Sequence, residues 1–129
     1  VSDAAPGLVG FTFVVLTAHP EETVTFWRDV LNGTVTSTSS TELGEMTILD
    51  VGPGRVEILG VPREQAPEPS RSVQVALTVE DVPAWHRRLV EHGARITYGP
   101  STLASGGASL GTADPNGVRI SFFTPPPES

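Results

Sequence analysis

Cysteine is absent from this 129-residue chain. Composition alone therefore excludes disulfide frameworks, thiolate zinc sites, iron–sulfur clusters and thiol nucleophiles. Lysine is absent too: the 8 basic residues are all arginine, and against 15 acidic ones they leave a net charge of −7. That balance gives no electrostatic footprint for nucleic acid or an anionic membrane, and it favours a cationic ligand over an anionic one. Aromatic residues are scarce, at 6%. No apolar run approaches the roughly 20 residues needed to cross a bilayer, and no basic-then-apolar leader opens the chain. The cytoplasm is the expected location.

What the chain does have is length for one domain (1–129) and strong local patterning. Residues 1–10 read as a lead-in. Residues 11–17 are β-branched and aromatic, the mark of a strand. His19-Pro20-Glu21-Glu22 reads as a helix start, with proline in the first turn and acids at the positive end of the dipole. Val24, Trp27, Val30 and Leu31 follow at helical spacing, and Asn32-Gly33 stops the helix. Strands are expected at 34–40 (an edge), 45–51 and 55–60, the last two joined at Gly52-Pro53-Gly54. The order is β-α-β-β-β over 10–60.

Residues 61–71, with Pro62, Pro67 and Pro69, read as a linker. The pattern then restarts over 72–124. A strand at 73–79 leads to a proline-bearing helix start at Glu80-Asp81-Val82-Pro83, and the helix aligns Val82, Trp85, Leu89 and Val90 before His92-Gly93. Strands are expected at 95–98, 108–112 and 118–123, with a tight turn at Asp114-Pro115-Asn116-Gly117. The tail, 125–129, begins with three prolines and extends no strand. The halves match in order, and Val14-Val15-Leu16-Thr17 pairs by eye with Val75-Ala76-Leu77-Thr78. A tandem duplication is the strongest single inference.

Strand side chains alternate between faces, so each strand carries an apolar helix-packed face and a second, mixed one. The mixed face collects Thr12, Val14 and Leu16; Arg55, Glu57 and Leu59; Gln74, Ala76 and Thr78; Arg119, Ser121 and Phe123. Brought together, these faces make a concave site of a few polar groups on apolar walls, as small-molecule pockets are. Left apart, they simply meet water.

The duplicated βαβββ unit resembles the vicinal oxygen chelate superfamily, which groups glyoxalase I, bleomycin-resistance proteins and extradiol dioxygenases. The resemblance runs from about residue 11 to 124. It rests on Phe26-Trp27-Arg28-Asp29-Val30-Leu31-Asn32-Gly33 at the first helix end, on Val75-Ala76-Leu77-Thr78-Val79-Glu80-Asp81-Val82, and on Asp114-Pro115-Asn116-Gly117 before the last strand. It implies an α+β fold in which two tandem βαβββ modules form a half-barrel around a central cavity, commonly completed by a homodimer.

In the family's metalloenzymes four strand positions hold a divalent metal, and the motifs place them here at Thr12, Glu57, Gln74 and Ser121. Only Glu57 and Gln74 fit the usual His, Gln and Glu set. Neutral hydroxyls are poor ligands beside imidazole and carboxylate, so neither a metal nor another cofactor is expected. His19, His86 and His92 do not repair the set, since they lie at or on helices, and His86 and His92 do not share an i, i+4 face. The residues expected to bind a small organic ligand are Thr12, Arg55, Glu57, Gln74, Arg119, Ser121 and Phe123. Glu57 is the candidate for chemistry: it either holds a cationic group or acts as a metal-free general base for an isomerase, cyclase or lyase. A carboxylate merely paired with Arg55 or Arg119 is the plain alternative, and a metal-dependent lyase or dioxygenase the remaining one. Two function classes thus stay open, an antibiotic- or natural-product-binding protein and an enzyme.

Overall fold

The computed structural model describes residues 6–7, 10–68 and 72–126. Most of the lead-in, the end of the linker (69–71) and the end of the tail (127–129) lie outside the described residues. The elements run β1 (Phe13–Thr17), α1 (Pro20–Thr25) passing straight into a π-helical turn (Phe26–Val30), β2 (Thr34–Ser40), β3 (Glu45–Val51), β4 (Gly54–Gly60), a 3-10 turn (Arg63–Gln65), β5 (Gln74–Thr78), α2 (Val82–Glu91), β6 (Ile96–Thr102), β7 (Ala108–Ala113) and β8 (Arg119–Thr124). The chain is α+β, two tandem βαβββ modules, each with its own mixed four-stranded sheet. The strand orders are β1-β4-β3-β2 and β5-β8-β7-β6, and among the described residues neither sheet closes into a barrel. β1 runs parallel to β4 and β5 to β8; the remaining pairs are antiparallel.

Local chemistry explains the helix ends. Pro20 opens α1 with Glu21 and Glu22 in its first turn. Asp81 caps α2, its carboxylate accepting from the Ala84 N–H at 3.0 Å. The first helix departs from the regular spacing expected of it. Its last turn widens to the π form, with the Leu31 N–H donating to the Phe26 carbonyl at 3.2 Å. That wider turn buries Phe26, Trp27, Val30 and Leu31 together, more than a regular helical face accommodates. Asn32 then adopts φ 61°, and Gly33 passes so close to the Trp27 carbonyl that a Cβ would stand 2.7 Å from it.

Three expectations need correction. Val90 is not on the packed face of α2; it is 57% exposed, whereas Val82 and Leu89 are buried. β6 runs on to Thr102, absorbing Gly99-Pro100 through two register shifts against β7, which an edge strand tolerates. The residue-by-residue match of the two modules also shifts by one. Val15 and Thr17 face the helices, as do Leu77 and Val79, and the cap residues His19 and Asp81 each follow two positions later. So Phe13 answers Val75, Thr17 answers Val79, and Val14 answers Ala76, not Val75. A one-residue slip would put every side chain on the wrong face.

The helix-facing sides of both sheets share one core, in which Trp27, Leu49, Leu89, Leu110 and Phe122 are wholly buried. Polar groups fasten the modules together. The β7–β8 turn of the second module inserts Asp114 and Asn116 against the first. Trp27 Nε1 donates to Asp114 Oδ2 at 3.1 Å, Asn116 Nδ2 donates to Thr23 Oγ1 at 2.8 Å, and Thr17 Oγ1 donates to Asn116 Oδ1 at 2.6 Å. Buried Thr17 and Thr23 therefore interrupt a helix-packed face expected to be apolar, and each has its partner. Arg88 of α2 adds two bonds to the end of the π turn, to the carbonyls of Val30 and Asp29, both at 2.8 Å.

Candidate functional site

The mixed faces emerge as expected from strand parity. In the first sheet Glu57 lies in register between Val14 on β1 and Ile48 on β3, and Leu59 between Leu16 and Met46. Thr12, half-buried just before β1, has the parity of Val14. Arg55 pairs across with Asp50, its Nε 3.8 Å from the carboxylate, a loose and exposed contact. In the second sheet Gln74 is in register with Arg119, Ser121 with Ala76 and Gly111, and Phe123 with Thr78 and Ser109. Ser121 is buried, and the Tyr98 ring lies over Gly111 beside it, where a Cβ would collide with that ring.

Register thus groups Thr12, Arg55 and Glu57 on one sheet and Gln74, Arg119, Ser121 and Phe123 on the other. No strand pair joins the groups. Glu57 is half-buried and has no hydrogen bond or ion pair among the described residues, so the pairing with Arg55 or Arg119 is not made. The four metal-equivalent positions supply two hydroxyls, one amide and one carboxylate, and that donor set does not fit a divalent transition metal. Among the described residues no three His, Cys, Asp or Glu side chains gather as a metal site. His19 and His92 are exposed helix caps, and His86 is half-buried on α2.

Two cavities lie where the outer edges of β1 and β5 face each other, and sequence reasoning missed both. The larger, about 540 Å³, takes in Phe11, Phe13, Trp27, Arg55, Trp85, the β5 residues 75–78 and Val79 just after them. The smaller, about 340 Å³, takes in β1 residues 13–16, Val73, Asn116 and Val118. They are the two ends of one seam, exchanged by the duplication: Val73 stands to the smaller as Phe11 does to the larger, and Val118 as Gly54. Of the seven expected ligand residues only Arg55 lines either cavity. The available signal was the contrast between equivalent positions, Thr17 and Thr23 in one module against Val79 and Trp85 in the other.

Over residues 11–122 the sequence matches a known family model, the Glyoxalase/Bleomycin resistance protein/Dioxygenase superfamily. The chain belongs to this superfamily. Solved structures of similar fold include TnmS3, an antibiotic-binding protein from Streptomyces sp. CB03234, at 19% identity and a TM-score of 0.74, with 95% of this chain and 99% of that one covered. A glyoxalase/bleomycin resistance protein from the same strain is 20% identical with a TM-score of 0.67, covering 88% and 98%. The fosfomycin resistance protein FosX from Listeria monocytogenes is 14% identical with a TM-score of 0.70, covering 94% of each chain. No curated protein matches the sequence. At such identities the likeness establishes the superfamily fold and leaves the ligand to the chain's own side chains.

Proposed function

We propose that this superfamily member is a metal-independent binding protein for a small organic molecule carrying a cationic group, which it holds and releases unchanged. One observation carries the reading: Glu57 is a half-buried carboxylate with no partner among the described residues, set between apolar Val14 and Ile48 on an open sheet face. A carboxylate so placed has its acceptor oxygens free of protein partners, and a bound cation can take up charge-assisted hydrogen bonds with them. Thr12 and Arg55 beside it, and Gln74, Arg119, Ser121 and Phe123 on the second sheet, are the further contacts in this reading. The antibiotic-binding description of TnmS3 agrees with it. The proposal includes one domain with modules at 10–60 and 72–124, a cytoplasmic setting and a homodimer. Val14 and Leu16, 43% and 38% exposed on the same open face, support the dimer.

The same unpartnered carboxylate favours a second reading, in which Glu57 is the general base of a metal-free isomerase, cyclase or lyase. Glu57→Gln separates the two. A hydrogen bond from a charged group contributes ~1.5–3 kcal/mol, so a binding protein loses roughly ten- to a hundred-fold in affinity for its cation. A base-catalysed enzyme loses turnover and keeps its affinity. The binding reading is tested by mass spectrometry of the ligand before and after capture, and by elemental analysis after dialysis against zinc, nickel, iron and manganese in turn. Unchanged ligand mass and no retained metal are expected. An equivalent of metal that disappears in Glu57→Ala overturns metal independence.

A further inference from the structure

The two ends of the seam between β1 and β5 are built from equivalent positions and have become chemically different. At one end the Asp114–Gly117 turn reaches across and bonds to Thr17, Thr23 and Trp27. At the other end the facing turn is Val51-Gly52-Pro53, a residue shorter and with no polar side chain, and the positions across from it are Val79 and Trp85. Val118, which helps fill the first end, is matched by Gly54, which has no side chain at all. The missing groups leave about 540 Å³, well within the range of small-molecule sites.

Two walls of this space, Trp27 and Trp85, are held by partners of their own. Trp27 is wholly buried and tied to Asp114. Trp85 stacks on Phe122 with ring centroids 5.0 Å apart, and the Arg88 guanidinium lies 5.9 Å from its centroid. Phe11, 93% exposed, and Phe13 complete an aromatic lining. β5 pairs on one side only, with β8, so its other backbone edge faces the space. Among the residues that line it Arg55 is the one charged side chain, and its hold on Asp50 is loose. Aromatic walls already fixed by their own partners lose little freedom when a ring system slides between them.

We propose that this seam cavity is a second ligand site, sharing only Arg55 with the surface around Glu57, and that it takes a planar aromatic molecule with one anionic substituent turned towards Arg55. Thr12, Glu57, Gln74 and Ser121 line no part of it. The site therefore stands whether or not a cation binds at Glu57.

The test uses a matched pair of probes, 8-anilinonaphthalene-1-sulfonate and its uncharged analogue N-phenyl-1-naphthylamine, titrated against the whole folded protein by fluorescence and calorimetry. One saturable equivalent of the sulfonate is expected, binding several-fold more tightly than the uncharged analogue. Gly54→Val copies Val118 at the fastened, narrower end, and its Cβ meets nothing closer than the Val51 carbonyl at 3.5 Å. It should weaken both probes at least tenfold, as should Thr78→Phe from the opposite wall, which serves if the first variant fails to fold. Arg55→Ala should bring the sulfonate down to the affinity of the analogue and leave the analogue unchanged. Non-saturable binding, or saturable binding that neither filling variant weakens, overturns the site. Equal loss of both probes in Arg55→Ala overturns the anionic selectivity.

Discussion

Asp114 organises the turn that joins the modules and bonds across the joint to Trp27, and Asp114→Asn measures how much that arrangement contributes. The carboxylate is 5% exposed, with four donors around it. Oδ1 accepts the N–H groups of Asn116 and Val118 at 2.8 and 2.9 Å, while Oδ2 accepts Trp27 Nε1 at 3.1 Å and Asn116 Nδ2 at 3.4 Å. An amide has one oxygen. If it keeps the two backbone donors, its NH₂ confronts the indole N–H, and a buried donor is left without an acceptor at a cost of about 1–3 kcal/mol. The remaining bonds also lose their charge assistance, so the total loss is about 2–4 kcal/mol. For a chain of this length that lowers the thermal midpoint by roughly 10 °C or more. Urea unfolding followed by tryptophan fluorescence gives the free energy directly. In a Trp27→Phe background the indole donor is gone and only the longer contact with Asn116 Nδ2 remains, so the same substitution should cost about 1 kcal/mol less. A loss below about 0.5 kcal/mol for Asp114→Asn, or no coupling to Trp27, would refute this account of the joint.

Arg88→Ala should cost about 1–3 kcal/mol by denaturant unfolding, because the carbonyls of Asp29 and Val30 lose charged donors at 2.8 Å, while an exposed change such as Arg87→Ala should be silent. Light scattering should give twice the sequence mass at high micromolar concentration, and Leu16→Glu on the open face should return the monomer mass; a wild-type monomer counts against the dimer. Arg28 at 2.7 Å holds the Asp29 carboxyl below its usual range, chiefly through the hydrogen bond. Any stability from that pair is therefore complete above the ordinary carboxylate pKa and fades as pH falls through the lowered one. Both groups are exposed, so Asp29→Asn should shift the thermal midpoint at neutral pH by no more than about 2 °C.

Much of the fold is legible in the sequence because strand and helix periods differ so plainly. β3 spans the stretch Glu45–Val51 marked by its alternation, and proline at each helix start with Asn32-Gly33 or His92-Gly93 at each end frames the helices. The π turn is not legible, since Phe26-Trp27 followed by Val30-Leu31 fits a regular helix nearly as well and only the core decides. Matching the modules by letters misleads by one residue: Val-Val-Leu-Thr and Val-Ala-Leu-Thr look alike, yet they sit on opposite parity. The surface around Glu57 is visible from alternation alone. The seam cavity is not, because it consists of side chains that Gly52-Pro53-Gly54 does not have, opposite residues some twenty to thirty positions away. Missing volume leaves no motif.

A duplicated chain with one end fastened and one end vacant contains its own control experiment. Each position around the larger space has a counterpart that shows what a fastened, narrower version of the same place is made of. Replacing Val51-Gly52-Pro53-Gly54 by the one-residue-longer Asp-Pro-Asn-Gly-Val, together with Val79→Thr and Trp85→Thr, would write the fastened design into the more open end. The reverse exchange would hollow out the other. Reciprocal grafts of this kind compare two local solutions in one molecule, so the difference in stability between a fastened end and an open one becomes directly measurable.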